Sequence, residues 1–223
     1  MPMHPPGRDY TQTLKEDREA VLLADRLGYC EALIGEHVTD VCESIPSCLA
    51  FIASLAHETK QIRLGSGTVN LPNSHPAHVA ATAAMVDHML EGRFLFGIGP
   101  GGLRSDQEVF GNLDLDRNEM FVEAIDQILA IWAGDAPYRL KGKYWSISTE
   151  KTLIREVGQG VMVKPYQKPH PPIVVTVVVP HSKGVAAAAA RGWTPITANF
   201  LQPVWAATHW PMYVKGCEQG GRK

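Results

Sequence analysis

Polar groups able to do chemistry cluster where short apolar segments of this sequence end. A strand expected from Ala32 to Glu36 delivers Glu36 and His37. An imidazole titrates near neutrality, so His37 is a candidate acid/base, with a structural histidine as the alternative. Glu36 could act as an acid, or accept from a neighbouring backbone amide or arginine. The next segment, Ile62 to Leu71, leads into Thr68, Asn70, Asn73 and His75, the last a helix-entry residue before Pro76. A third ends in Gly97-Ile98-Gly99-Pro100-Gly101-Gly102, followed by Arg104, Ser105 and Asp106. A fourth ends in Pro180-His181-Ser182-Lys183-Gly184, and a fifth near Thr197 and Asn199.

Two of these ends point to ligands rather than to proton transfer. Gly97 to Gly102 formally matches the GxGxxG dinucleotide fingerprint. That fingerprint needs a helix opening directly on the glycines. Here a polar loop is expected over Leu103 to Asp116, broken by Gly111, and Pro100 removes one amide donor. The glycines better serve to let the backbone pass close to a flat ligand. Ser182-Lys183-Gly184 opens a helix, where a hydroxyl and free amides form an anion site; an ordinary Ser cap is the alternative.

The elements that must position these groups alternate. Thr13 to Glu16 reads as a capping box, opening a helix that Gly28 stops. Helices are expected from Pro46, from Pro76 to Gly92, over Asn118 to Ala133, over Lys183 to Ala190 and over Val204 to Cys217. Strands are expected at Ala32 to Glu36, Ile62 to Leu71, Phe94 to Ile98, Ile173 to Val179 and Pro195 to Phe200. Ile173 to Val179 is almost wholly apolar and β-branched, as in a parallel sheet buried on both faces. Residues 135–172 break the rhythm with a hairpin around Gly142 and loop, an insertion within a single domain spanning 1–223. The alternation argues for α/β, a parallel sheet covered by helices. Five strands suit a doubly wound nucleotide-binding sheet as they stand, whereas a TIM-barrel-type (β/α)8 fold needs three more.

Composition limits the functions. The 223 residues carry a formal net charge of −2, leaving no basic footprint for nucleic acid or an anionic membrane. The longest apolar run is too short to span a bilayer, and Met1 to Pro6 lacks the regions of a signal peptide. Cys30, Cys42, Cys48 and Cys217 show no metal-like spacing. A cytoplasmic protein with no bound metal is the expectation.

Several segments, taken in order, resemble the bacterial luciferase-like flavin monooxygenases. They are Ile34-Gly35-Glu36-His37, Ile62 to Thr68, Leu71-Pro72-Asn73-Ser74-His75-Pro76, Asp87 to Phe94 and Phe96 to Gly102. Tyr166 to Pro172 and Arg191-Gly192-Trp193 continue the match. The glycine-rich Gly97 to Gly102 is most similar to the limonene-monooxygenase branch.

The resemblance implies an eight-stranded barrel binding reduced FMN at the carboxyl ends of its strands and activating O2 there to oxygenate a small apolar substrate. It implies His37 as the catalytic histidine and a cis peptide at Gly67-Thr68 against the flavin ring. Asn70, Gly99, Gly101, Ser182, Lys183 and Gly184 complete the implied cofactor set, and Met3 and His4 the substrate pocket. Reduced FMN would come from a separate flavin reductase; FAD or a deazaflavin are the alternative cofactors, and a deazaflavin oxidoreductase or a degenerate flavin-binding chain the alternative functions. Pro100 departs from the family, which holds phosphate with an arginine there; Arg104 is the nearest replacement. The resemblance also implies that strands two to six of eight are present, with Met1 an internal start and Lys223 an early stop. Open sheet edges then predict self-association into a homo-oligomer.

Overall fold

A computed structural model describes residues 3–222, so the reading of Met1 and Lys223 as internal ends lies outside the described residues. Helix α1 (Tyr10–Arg26) leads into strand β1 (Glu31–Ile34), then α2 (Cys48–Leu55), β2 (Arg63–Ser66) and β3 (Val69–Asn70). Next come α3 (Pro76–Met89), β4 (Phe94–Gly99), α4 (Arg104–Val109) and α5 (Arg117–Ala133). A hairpin of β5 (Arg139–Lys141) and β6 (Ser146–Ser148) precedes β7 (Ile173–Val177), α6 (Lys183–Ala190) and β8 (Thr194–Thr197). Two helices, α7 (Pro203–Ala206) and α8 (His209–Gln219), complete the described chain.

Strand order decides between the two sheets that the sequence allows. All pairings in the main sheet are parallel, and its order, β1-β2-β4-β7-β8, follows the chain without reversal. A doubly wound sheet reverses at a switch point, whereas a barrel adds each strand beside the last. The fold is therefore of the TIM-barrel type. It is incomplete: among the described residues β1 pairs only with β2, and β8 only with β7.

Side-chain alternation separates the faces of this arc. Phe94, Phe96 and Ile98 of β4 are fully buried in the core with the helices, Phe96 packing edge-on against Trp132 of α5 with centroids 5.3 Å apart. Each such side chain contributes roughly 1.5–3 kcal/mol by leaving water. Leu95 faces the opposite way, toward the positions of Gly65 and Leu33, where an added Cβ on Gly65 would stand 2.8 Å from Leu95 and 2.6 Å from Leu33. That face is the inside of the arc, and Gly97 and Gly99 share it.

The second strand is not one element. Gly65 pairs with Leu95, and Val69 with Ile98, so residues 66–68 stand opposite only residues 96–97. One extra residue makes a bulge, which separates β2 from β3 and re-aims the chain. The Gly67-Thr68 peptide within it is cis. The Ser66 carbonyl passes directly over Gly97, where an added Cβ would lie 1.7 Å from its oxygen, and the Ser66 hydroxyl bonds the Gly97 backbone at 2.7 and 2.9 Å.

Local start signals differ from expectation at two helices. The Asp9 carboxylate caps α1 by accepting from Gln12 N–H at 2.8 Å, while the Thr13 hydroxyl donates inside the helix to the Tyr10 carbonyl. The capping box expected at Thr13 is thus one turn late, because an acidic cap stands ahead of it. The single helix expected over Val204 to Cys217 is two, broken at Ala207–Thr208.

Buried polar anchors fix the arc to its helices. Asp25, at the end of α1, accepts from the amides of Lys60, Gln61 and Ile62 at 2.8–3.0 Å. Burial raises its pKa, but these amides outweigh it and hold the carboxyl below its ordinary range. The hairpin docks on α5, where the Glu123 carboxylate accepts from the amides of Lys143, Tyr144 and Trp145 at 2.8–3.0 Å. The loop before β7 is tied to α3 by buried Asp87, which accepts from the Gln167 amide and side chain at 2.8 and 2.7 Å. No helix among the described residues is long and apolar enough to cross a membrane.

Candidate active site at the carboxyl ends of the strands

Because the strands are parallel, their carboxyl ends lie at one end of the arc, and the sequence-predicted residues leave from there. His37 follows β1, its amide donating to the Ile45 carbonyl at 3.0 Å. Its ring lies between two carboxylates, with Nδ1 3.4 Å from Asp106 and Nε2 3.3 Å from Glu43. Asp106, on α4, also accepts from the Thr39 amide and hydroxyl at 2.8 and 2.5 Å and from the Val38 amide at 3.2 Å. Burial raises the Asp106 pKa, but the Thr39, Val38 and His37 bonds outweigh it and hold the carboxyl below its usual range. Asp106 is therefore a carboxylate at neutral pH, able to fix one histidine tautomer.

The uninterrupted loop expected over Leu103 to Asp116 is corrected here, since α4 lies within it. Four of the six α4 residues are charged or amide-bearing, so no apolar period announces it. Its inward side, Asp106 and Gln107, is buried by tertiary contact instead.

Glu36 is a scaffold carboxylate. It accepts from the amides of Asn70 and Cys48 at 2.9 and 3.2 Å and from the Cys48 thiol at 3.1 Å. Burial, with the Glu36 charge beside it, pushes the thiol well above its ordinary range, so Cys48 remains protonated. His75 caps α3, accepting from the Ala77 amide at 3.2 Å.

Thr68, Asn70, Gly99 and Gly101 form one continuous patch. The Thr68 hydroxyl donates to the Asn70 side-chain oxygen at 3.2 Å, and Asn70 donates to the Glu36 carbonyl at 3.1 Å. An added Cβ on Gly99 would stand 2.8 Å from Thr68 Oγ1 and 3.5 Å from Thr176 Oγ1, so the backbone must be bare there. Gly101 adopts φ +73°, a left-handed conformation that suits glycine, beside Asn70. Gly67 donates to the Ile34 carbonyl at 2.6 Å, joining the patch to β1.

Two clefts flank this patch. One of about 540 Å³ is lined by His37, His4, Arg8, Tyr10, Thr39 and Val41 among others. His4 is buried, with Nε2 2.9 Å from Asp17, whereas the Met3 side chain is 76% exposed and does not line the cleft. The other, about 710 Å³, is lined by Pro100, Val177, Ser182, Lys183 and Gly184, and by Arg117 at the start of α5. The Ser182 hydroxyl caps α6 by accepting from Gly184 N–H at 3.2 Å. Arg104 is exposed and lies outside this lining; Lys183, Arg117 and Arg191 bring the positive charge, and Arg191 is paired with Asp126 at 2.7 Å. From β1 to β7 is three strand spacings, about 14 Å.

Sequence reasoning left Thr39, Glu43 and Arg117 out of the site and gave Asp106 only as a polar residue after the third strand. Position after a strand marked Asp106, but only the fold brings it across 69 residues to His37. Nothing local marks Glu43 or Arg117.

The sequence matches the luciferase-like monooxygenase family over residues 1–211. It is 39% identical over 136 residues to 4-hydroxyprotoasukamycin monooxygenase of Streptomyces nodosus subsp. asukaensis, covering 61% of this chain and 37% of that protein. It is 37% identical over 134 residues to limonene 1,2-monooxygenase of Rhodococcus erythropolis, covering 60% and 35%. Among solved structures, it superposes with TM-score 0.91 and 27% identity on the oxygenating constituent of 3,6-diketocamphane monooxygenase from Pseudomonas putida, a type II Baeyer-Villiger monooxygenase in complex with FMN. That match covers 100% of this chain and 62% of the other. The chain thus spans about a third of the two curated relatives and under two thirds of the solved one.

Proposed function

We propose, from the premise that this chain belongs to the luciferase-like monooxygenase family, that it carries the flavin site of a monooxygenase using reduced FMN and O2 to oxygenate a small apolar molecule. The observation that carries the reading is the shared placement of His37, the Thr68–Asn70–Gly99 patch and Ser182–Gly184 at one end of a parallel arc. The residues fit the cofactor. Gly99 and Gly101 let Thr68 and Asn70 close against the backbone, and a 710 Å³ cleft with Pro100 and Thr176 in its lining supplies Ser182, Lys183 and Arg117 to a phosphate. Three strand spacings along the arc, about 14 Å, separate β1 from β7, a span suited to an extended mononucleotide. The FMN complex of the diketocamphane relative supports the same choice of flavin.

When bound, reduced FMN supplies the electrons that activate O2. The chain's part is to hold, shield and move protons. Asp106 accepts from His37 Nδ1–H, which leaves Nε2 as the atom that gives or takes a proton, with Glu43 3.3 Å from it. Tyr10, Val38 and Val41 line the His37 cleft and offer apolar surface to an apolar substrate. The diketocamphane relative is described as an oxygenating constituent, which supports delivery of reduced FMN by a separate flavin reductase.

Isotope labelling tests this reading. The protein is incubated with a flavin reductase, FMN, ¹⁸O2 and a panel of monoterpenes and cyclic ketones. Product carrying one ¹⁸O atom is expected. Reaction without label in any product would point to hydride chemistry, as in a deazaflavin enzyme; no product at all would refute the oxygenase reading for this chain.

A further inference from the structure

The turn that joins β7 to α6 holds the proposed phosphate segment, yet it is secured from elsewhere. Val178 and Val179 are half exposed, and His181 adopts φ +51°, a left-handed conformation unusual for a residue with a side chain. Among the described residues, two hydrogen bonds tie this turn to a later element. His181 N–H donates to Thr208 Oγ1 at 2.9 Å, and His209 Nε2 lies 2.8 Å from the Val179 carbonyl. A carbonyl only accepts, so Nε2 carries the proton, and in the neutral ring Nδ1 accepts from the Thr197 hydroxyl 2.8 Å away. His209 is buried, and the Thr208 hydroxyl donates onward to the Trp205 carbonyl at 2.6 Å. One residue pair at the break between α7 and α8 therefore grips the ends of both β7 and β8.

We infer that Thr208 and His209 are positioning residues for the anionic group of the flavin: they fix the 179–181 turn so that the Ser182 hydroxyl and the Lys183 amide at the start of α6 face the 710 Å³ cleft. This rests on the reading of Ser182–Gly184 as the FMN phosphate segment. Neither residue lines that cleft, so each acts only through the turn. Pro100, in the lining of the same cleft, offers neither a side-chain cation nor an amide, which makes such fixing more consequential. A preorganised anion site binds without ordering the turn at the moment of binding.

Riboflavin, which lacks the phosphate, separates positioning from general support. Binding of FMN and of riboflavin is titrated for the wild-type chain and for Thr208→Ala, Thr208→Ser and His209→Gln. Thr208→Ala is expected to weaken FMN about tenfold, the equivalent of one hydrogen bond, with riboflavin unchanged. Thr208→Ser, which keeps the accepting oxygen, restores FMN affinity, and His209→Gln, which keeps a donor for Val179, retains most of it. A Thr208→Ala chain that still prefers FMN as strongly as wild type does overturns this proposal alone. Equal loss of both ligands also overturns it, since that is a fold effect. Wild-type protein that binds FMN no better than riboflavin removes the phosphate segment itself and this proposal with it.

Discussion

Replacing His37 with alanine is expected to lower oxygenation by roughly 10²–10⁴-fold, the usual worth of a positioned acid/base, while leaving FMN affinity unchanged. The asymmetry follows from the geometry. His37 lines the 540 Å³ cleft at the end of β1, while Ser182–Gly184 line the other cleft at the end of β7. Its ring contacts are Asp106 and Glu43, and Asp106 keeps its bonds to Thr39 and Val38 when the imidazole is removed. The truncation therefore removes the proposed proton carrier without leaving Asp106 unsatisfied. Single-turnover mixing of reduced enzyme-bound FMN with O2 and substrate measures the loss directly. Partial recovery by added imidazole is the matching positive sign. Undiminished turnover in the alanine variant removes His37 from the chemistry.

The second large effect is on stability. Gly97→Ala places a methyl group 1.7 Å from the Ser66 carbonyl oxygen and 2.8 Å from its carbon, both backbone atoms in a buried bulge. No side-chain rotation relieves that overlap. The bulge must open, which breaks the two bonds between the Ser66 hydroxyl and the Gly97 backbone. Overpacking and two lost buried bonds together are expected to destabilise the fold by about 3 kcal/mol or more. Gly102→Ala is the control, because nothing lies within 4 Å of its Cβ position. It should remain within about 0.5 kcal/mol of wild type. Urea unfolding midpoints compare the three proteins; equal midpoints for the two variants would show that the bulge has room for a side chain.

What the sequence discloses about this fold depends on whether the signal is local. The β-branched run at Ile173–Val177 and the alanine-rich helix at Lys183–Ala190 are read at or near their observed bounds. Gly, Ser and Thr between Ile62 and Leu71 announce an irregular strand, but not its one-residue bulge, since register belongs to the partner strand. Barrel type or doubly wound type is likewise undecidable from alternation, because strand order is a tertiary fact. The ordered motifs around His37, Gly67-Thr68 and Gly97–Gly102 carry the family where periodicity stops. In the site, His37 and Ser182 are visible because strand ends and helix starts are visible. Asp106 and Glu43 reach His37 through loops whose course no local pattern fixes. Arg104, the nearest cation in sequence to Pro100, lies away from the cleft that Arg117 lines.

The most direct test of the central claim, a flavin site at the carboxyl ends of the arc, is titration of the purified chain with FMN. Flavin fluorescence is followed, and FAD, a deazaflavin and NAD serve as competitors. Saturable one-to-one binding, displaced by excess FMN analogues and not by NAD, is the predicted result. A folded sample that leaves FMN fluorescence unchanged at every concentration would contradict the account.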